Sequence, residues 1–308
     1  MKKTELYIKS TNDVNNLHTI VWEPESEIKA IVQISHGMIE YIDRYDRFAR
    51  FLNSKGILVV GNDHLGHGLT ARYDEELGYF PTDKKSATVV EDLYKITQEI
   101  KSRYGEEVPY FVLGHSMGSF MIRRYIMTYG DKVDGCVIVG TGSQPNIVLK
   151  SGQTVLKFLK AFKGDKHRSK FVEKMAFGTY NKKFKPSRDK YIVNKYVNDK
   201  YCTFLFTLNG YETLFDALEF IQNTKNVEKI PKELPLLFVS GDMDPVGNYG
   251  KGVKQIYENY KISGIKDIDI KLYKDGRHEI LNELQYENVY NDIYNWLSER
   301  IKITQKSF

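Results

Sequence analysis

A serine bracketed by two glycines, in the stretch GHSMG at residues 114–118, constrains the fold of this chain more than any other feature. The residues before it, Tyr110 to Leu113, are suited to a buried strand, and those after it, Met117 to Met127, have helical spacing. So abrupt a strand-to-helix turn crowds together the residues two before and two after the serine, and glycine removes the side chains that would clash. The sequence therefore predicts a nucleophile elbow, with the hydroxyl of Ser116 raised above the end of a strand.

Strand-like and helical segments alternate on both sides of this elbow. Before it come a hairpin (LYIKS and LHTIVW), the strands AIVQIS and ILVVGND, a helix closed by Gly56 and a long helix ending at Gly105. After it come the strands GCVIVG, LPLLFVSG and DIDIKLY, and a last helix near Tyr286 to Ile301. This alternation predicts an α/β fold with a mostly parallel central sheet and helices on both faces.

The alternation stops for some ninety residues in the second half of the chain. Residues 143–234 read as helical, and the interval from Asn146 to Lys232 has 18 Lys and Arg against 8 Asp and Glu. We expect a helical cap inserted at 143–234 over the carboxyl edge of the sheet, with the core formed by residues 1–142 and 235–308.

Composition excludes several classes of protein. With 308 residues and 41% hydrophobic residues, the chain can bury a large core, and its net charge of +5 is too small to suggest a nucleic-acid partner. The N-terminus lacks the apolar segment of a signal peptide, so we expect a soluble, cytoplasmic protein. Cys136 and Cys202 lack metal-type spacing and are expected to be reduced, buried thiols. His64 and His67 are interpreted as turn packing, and no cofactor or metal is expected.

A nucleophilic serine on such a sheet requires an acid and then a histidine, each following a later strand. LPLLFVSGDMDPVG supplies Asp242 and Asp244; we favour Asp244 because Pro245 stiffens the loop, and Asp242 remains the alternative. Of the seven histidines, only His278 follows these aspartates. We therefore predict Ser116, His278 and Asp244 as the catalytic residues.

Two backbone N–H groups are candidates for stabilising a developing oxyanion. The N–H of Met117 opens the helix after Ser116, and the strand AIVQIS runs into HGM, where Gly37 permits a close turn that aims the N–H of Met38 at the serine.

The ordered set SHGMIEYIDRY, NDHLGHGLT, GHSMG, SGDMDPVG and GRHEILNE resembles the α/β-hydrolases of the monoacylglycerol lipase and lysophospholipase group, which are catalogued with the serine aminopeptidases. The resemblance spans essentially the whole chain, and the cap segment AFGTYNKKF with SRD is similar to the bacterial lysophospholipase-like branch. It implies the same triad and the same oxyanion donors. Ile39 and Tyr41 stand where relatives often carry glycine and histidine, and Thr70 where serine is common.

The cap sequence bears on the substrate. The segment QTVLKFLKAFKG carries apolar residues at helical spacing and lysines on another face, so it either rests on an anionic lipid surface or packs over the site with its lysines in water. Other aromatic residues of the cap are candidates for lining an acyl tunnel, although most of them are expected to belong to the ordinary core: Phe171, Phe177, Tyr180, Phe204, Phe206 and Phe215. We expect a serine hydrolase that cleaves single-chain acyl esters. The alternatives are a serine aminopeptidase, which would need acidic cap residues to receive an ammonium group, and a catalytically silent binding protein.

Overall fold

One mixed sheet forms the centre of the molecule in the computed structural model, which describes residues 1–181 and 186–306, the side chains of 177–181 and 304–306 excepted. Its eight strands are β1 (Lys2–Lys9), β2 (Asn16–Glu23), β3 (Ala30–Ser35), β4 (Ile57–Asn62), β5 (Tyr110–His115), β6 (Gly135–Val139), β7 (Leu236–Gly241) and β8 (Ile268–Tyr273). They lie in the order β1-β2-β4-β3-β5-β6-β7-β8. Only the pairings of β2 with β1 and with β4 are antiparallel. The predicted α/β-hydrolase sheet is confirmed, with its leading hairpin at one edge.

The connections between the parallel strands are helical. The helices of the described chain are α1 (Asp46–Asn53), α2 (Ser86–Tyr104), α3 (Met117–Tyr129), α4 (Asn146–Lys163), α5 (Lys170–Asn181), α6 (Lys190–Val197), α7 (Leu208–Gln222), α8 (Thr224–Val227), α9 (Lys251–Ile262) and α10 (Tyr286–Lys306). The last helix runs past the predicted end at Ile301, because the following residues, KITQK, include no glycine or proline that would stop it.

Side chains that alternate along the strands bury themselves in two separate cores, one on each face of the sheet. In β3, Ile31 packs on the face covered by α2, α3 and α9, whereas Val32 packs on the opposite face. Phe48 of α1 and Ile293 of α10 cover that second face. Strands buried on both sides are the reason that β3 to β7 read as almost continuously apolar.

The interval between β6 and β7 contains α4 to α8. Its described residues form no strand, and their only β pairing is an isolated bridge between Arg168 and Thr207. Helix α4 packs on α7, and α7 packs on α3, the helix that follows Ser116. We propose that residues 143–234 are a cap carried by a core of residues 1–142 and 235–308. Across the described ranges, no helix combines the length and the apolar character needed to span a membrane.

Candidate active site

Ser116 occupies the sharp turn between β5 and α3. Its backbone lies at φ 55° and ψ −121°, a conformation that a residue with a side chain seldom adopts. A Cβ placed on Gly114 would lie 2.4 Å from the carbonyl oxygen of Gly118, and a Cβ on Gly118 would lie 2.0 Å from the carbonyl oxygen of Ser35. Both flanking glycines are therefore required by the turn, as the sequence predicted.

Ser116, His278 and Asp244 form one hydrogen-bonded chain at the carboxyl edge of the sheet. Nε2 of His278 lies 2.8 Å from Oγ of Ser116, and Nδ1 of His278 lies 2.9 Å from Oδ2 of Asp244. Because the carboxylate can only accept, Nδ1 donates to it and Nε2 is left to accept the serine proton. Asp244 is fully buried and also accepts the N–H of Val246 at 2.9 Å. The three predicted residues thus meet although they follow three different strands.

Asp242, the alternative acid, has a different environment. Its N–H donates to the carbonyl of Tyr273, and its Oδ1 is buried without a hydrogen-bond partner among the described residues. His278 contacts the carboxylate of Asp244. The geometry therefore favours Asp244 over Asp242.

The two predicted oxyanion donors lie beside the serine hydroxyl. Met38 and Met117 both line the cavity that contains Ser116. Met117 is the first residue of α3, so helix geometry gives its N–H no acceptor. In the described part of the chain, the N–H of Met38 also has no acceptor. Two unengaged N–H groups thus border the nucleophile.

Ser116 opens into a cavity of about 530 Å³, here termed the apolar cavity. Its walls include side chains of α3, α4, α5 and α7, namely Phe120, Leu149, Met175, Leu214, Phe215 and Leu218. None of its described lining residues is charged. A cavity of this size and character suits a hydrocarbon chain.

The aromatic candidates for an acyl tunnel lie in different surroundings. Phe215 lines the apolar cavity, but Phe204 and Phe206 pack around the ring of His67 instead. Phe171 is 63% exposed because it lies on the outer side of the first turn of α5. The side chains of Phe177 and Tyr180, like most of the segment AFGTYNKKF, lie outside the described residues. The lining is supplied mainly by aliphatic residues and methionines, whose helical positions the sequence pattern did not single out.

A second cavity of about 260 Å³, here termed the polar cavity, also reaches Ser116. Arg44 lies at its wall between two carboxylates, with Nη1 2.6 Å from Oε2 of Glu40 and Nη2 2.7 Å from Oε2 of Glu279. Glu40 also accepts the N–H of Gly37, which precedes Met38, at 2.5 Å. The sequence interpretation assigned no role to these charged residues, because the ion pair of Arg44 with Glu279 joins positions 235 residues apart.

His115 links this ionic network to His278. Its Nδ1 lies 3.0 Å from Oε1 of Glu40 and its Nε2 lies 3.1 Å from the carbonyl oxygen of His278. Both partners are acceptors, so both ring nitrogens donate and the ring is an imidazolium. Burial alone lowers the pKa of His115, but the hydrogen bond and charge of Glu40 outweigh it and raise that pKa above its ordinary value. His115 therefore directs its hydrogen bonds elsewhere than Ser116.

The other histidines near the site are structural. His36, His64 and His67 are buried against one another, and burial lowers the pKa of all three, that of His67 to about 3. Neutral rings are expected in such a cluster. Within residues 1–181 and 186–306, no group of three or more His, Cys, Asp or Glu side chains could hold a metal ion. Cys136 and Cys202 are free and buried, as predicted.

The departures Ile39 and Tyr41 tie the loop after β3 to the cap. Ile39 has φ 56°, a conformation that favours glycine, and its carbonyl accepts a hydrogen bond from the hydroxyl of Tyr196 at 3.0 Å. The hydroxyl of Tyr41 donates to Oδ2 of Asp199 at 2.8 Å. Ile39 and Tyr41, which both differ from the family pattern, thus lie where the loop that carries Met38 meets the segment around α6.

The sheet order, the strained serine turn and the hydrogen-bonded Ser, His and Asp side chains define the class of the protein as an α/β-hydrolase. The family profile described as "Serine aminopeptidase, S33" matches residues 26–285, and the chain belongs to this family.

Relatives place the chain in the monoacylglycerol lipase group of these hydrolases. It is 27% identical over 287 residues to monoglyceride lipase of Rattus norvegicus, covering 92% of this chain and 86% of that protein. It is 26% identical to an uncharacterized abhydrolase domain-containing protein of Dictyostelium discoideum, of which it spans only 29%. A thermostable carboxyl esterase from Bacillus coagulans, solved in complex with glycerol, superimposes with a TM-score of 0.88 and 28% identity, over 98% of this chain and 99% of that one. These comparisons support a hydrolase that acts on esters.

Proposed function

We propose that this protein is a serine carboxylester hydrolase that cleaves single-chain acyl esters of the monoacylglycerol or lysophospholipid type through an acyl-enzyme. The observation that carries the proposal is the unbroken hydrogen-bond chain from Ser116 through His278 to Asp244, next to a cavity whose described lining residues are uncharged. The monoglyceride lipase relatives agree with it.

In the proposed reaction, Nε2 of His278 takes the proton of Ser116 as Oγ attacks the ester carbonyl carbon. The carbonyl oxygen becomes an oxyanion that accepts hydrogen bonds from the N–H groups of Met38 and Met117. His278 then gives its proton to the leaving alcohol as the ester C–O bond breaks. Water, deprotonated by the same imidazole, releases the acid and restores the serine. Asp244 holds the tautomer and stabilises the imidazolium in both halves.

The two oxyanion donors account for a large part of the barrier reduction. In serine hydrolases, removing one such donor raises the activation free energy by about 3 kcal/mol. Proton transfer through His278 adds roughly 10² to 10⁴ in rate. The strained turn at Ser116 holds the nucleophile in place before substrate arrives.

The apolar cavity favours an acyl chain over an aminoacyl group. An aminopeptidase must place a substrate ammonium group close to the scissile carbonyl, on its acyl side. No carboxylate lines the apolar cavity within the described residues, whereas methionine, leucine and phenylalanine side chains do. Burying an ammonium group there without a partner would be costly.

A hydrolysis panel tests the proposal. The wild-type protein is assayed with monoacylglycerols and lysophospholipids of increasing chain length, with short aryl esters and with aminoacyl naphthylamides. We expect the highest kcat/KM on medium or long monoacyl esters. A flat chain-length profile, or release of naphthylamine without ester hydrolysis, would contradict the proposed substrate class.

We also propose transient contact between the cap and an anionic lipid surface. The buried side of α4 consists of Leu149, Gly152 and Leu156, whereas Phe158 and Phe162 face outward with exposures of 65% and 72%. Their rings lie 4.8 Å apart. Exposed lysines accompany them on the same helix, an arrangement typical of interfacial helices.

Flotation with vesicles tests the membrane contact. The Phe158→Ser, Phe162→Ser double variant is expected to lose binding to anionic vesicles. Tyr7→Ser, which removes a 61% exposed aromatic residue from β1, serves as the control and should bind as the wild type does. Equal binding by all three proteins would exclude α4 as the contact.

A further inference from the structure

The described lining of the polar cavity includes one carboxylate more than its cations balance. Arg44 and the imidazolium of His115 supply two positive charges, and Glu40 and Glu279 supply two negative charges that contact them directly. Buried charges that are paired in this way neutralise one another. The guanidinium is therefore not available to an anionic ligand.

Among the described lining residues of this cavity, Glu173 is the remaining charged residue and has no counter-ion. It lies on α5 of the cap, is partly buried, and lines the polar cavity together with Ser116 and His278. No hydrogen bond or ion pair joins its carboxylate to another residue of the described ranges. Within the described residues, one negative charge without a paired cation thus borders the space next to the nucleophile.

The two cavities at Ser116 divide a bound ester into its two parts. The larger, apolar cavity has no charged lining residue in the described chain, so the acyl chain belongs there. The leaving alcohol then extends into the polar cavity, toward Glu173. This assignment rests on the ester hydrolysis proposed above.

We propose that Glu173 is a specificity-determining residue that favours esters whose leaving alcohol carries a positive charge, such as an ammonium or quaternary ammonium group. A cation near this carboxylate gains Coulomb energy in a partly desolvated site, whereas a leaving group of net negative charge is repelled. The preference acts on the alcohol and not on the acyl chain. It therefore distinguishes this site from an aminopeptidase site, which recognises an ammonium group on the acyl side.

Two esters of matched shape test the inference. Octanoylcholine carries a trimethylammonium group on its leaving alcohol. In 3,3-dimethylbutyl octanoate, a neutral tert-butyl group of the same shape takes its place. We compare kcat/KM on both for the wild type, for Glu173→Gln and for Glu219→Gln, a control that removes an exposed carboxylate of α7. We expect the wild type to have a roughly tenfold higher kcat/KM on the choline ester. This ratio corresponds to an interaction whose strength lies between those of exposed and buried ion pairs.

The outcomes separate this inference from the proposed function. Loss of the preference in Glu173→Gln but not in Glu219→Gln supports the role of Glu173. Equal hydrolysis of both esters by the wild type, or a preference that survives in Glu173→Gln, overturns the inference and leaves ester hydrolysis intact. Failure of the wild type to hydrolyse either ester contradicts both proposals.

Discussion

Nδ1 of His115 lies 3.0 Å from Oε1 of Glu40, and this pair connects the loop that carries Met38 to the loop that carries His278. Glu40 holds the N–H of Gly37 on one side, and His115 donates to the carbonyl of His278 on the other. The carboxylate and the imidazolium thus join the two loops between which an ester carbonyl would bind.

The charge on His115 makes stability depend on pH. Its folded pKa is raised above the unfolded value of about 6.5. The stabilisation is therefore fully present below about pH 6.5 and is lost as pH rises through the folded pKa. We predict that the difference in unfolding free energy between the wild type and His115→Gln shrinks over this range, as measured by urea unfolding at several pH values. A difference that stays constant with pH would contradict a charged His115.

Removing the charge of Glu40 should destabilise the fold. Glu40→Gln leaves Arg44 and His115 with one fewer counter-charge in a buried network, and breaking such a network costs about 3 to 5 kcal/mol. Urea unfolding measures the loss. Glu219→Gln, which alters an exposed carboxylate hydrogen-bonded to Gln153, should stay within about 0.5 kcal/mol of the wild type. Similar effects of the two substitutions would show that the network contributes little.

The elbow leaves no space for a methyl group at Gly118. We predict that Gly118→Ala destabilises the protein by more than about 3 kcal/mol, since its Cβ would overlap the backbone of Ser35. Gly164→Ala is the control: its φ of 78° is strained for alanine, but no atom lies within 4 Å of the added Cβ. That control should cost only about 1 to 2 kcal/mol. Thermal unfolding distinguishes the two, and a tolerated Gly118→Ala would contradict the described turn.

The two aspartates after β7 should differ sharply in catalysis. Asp244→Asn would reverse the tautomer of His278 and lower kcat by roughly 10⁴. Asp242→Asn is the matched change two residues away and should lower kcat by less than about tenfold, because Asp242 makes no described contact with His278. Steady-state kinetics on one monoacyl ester provides the comparison. The reverse ranking would assign the acid to Asp242.

The sequence predicted those parts of the fold that depend on local pattern. Strand and helix periodicity located the sheet and the elbow, and the fixed order of Ser, acid and His along such a sheet selected Ser116, Asp244 and His278. It could not predict the pairing of Arg44 with Glu279, because long-range ionic contacts leave no periodic signal. Nor could it tell which aromatic cap residues line the cavity, since an aromatic residue at a cavity and one packed on His67, as Phe204 and Phe206 are, have the same local sequence character.

The kcat of Ser116→Ala on a medium-chain monoacylglycerol tests the central claim most directly. The serine at the elbow lies 2.8 Å from Nε2 of His278, and loss of such a nucleophile lowers turnover by roughly 10⁶ in serine hydrolases. We therefore predict that hydrolysis by correctly folded Ser116→Ala falls by about that factor. Retention of more than about a tenth of the wild-type kcat would contradict the assignment of Ser116 as the nucleophile.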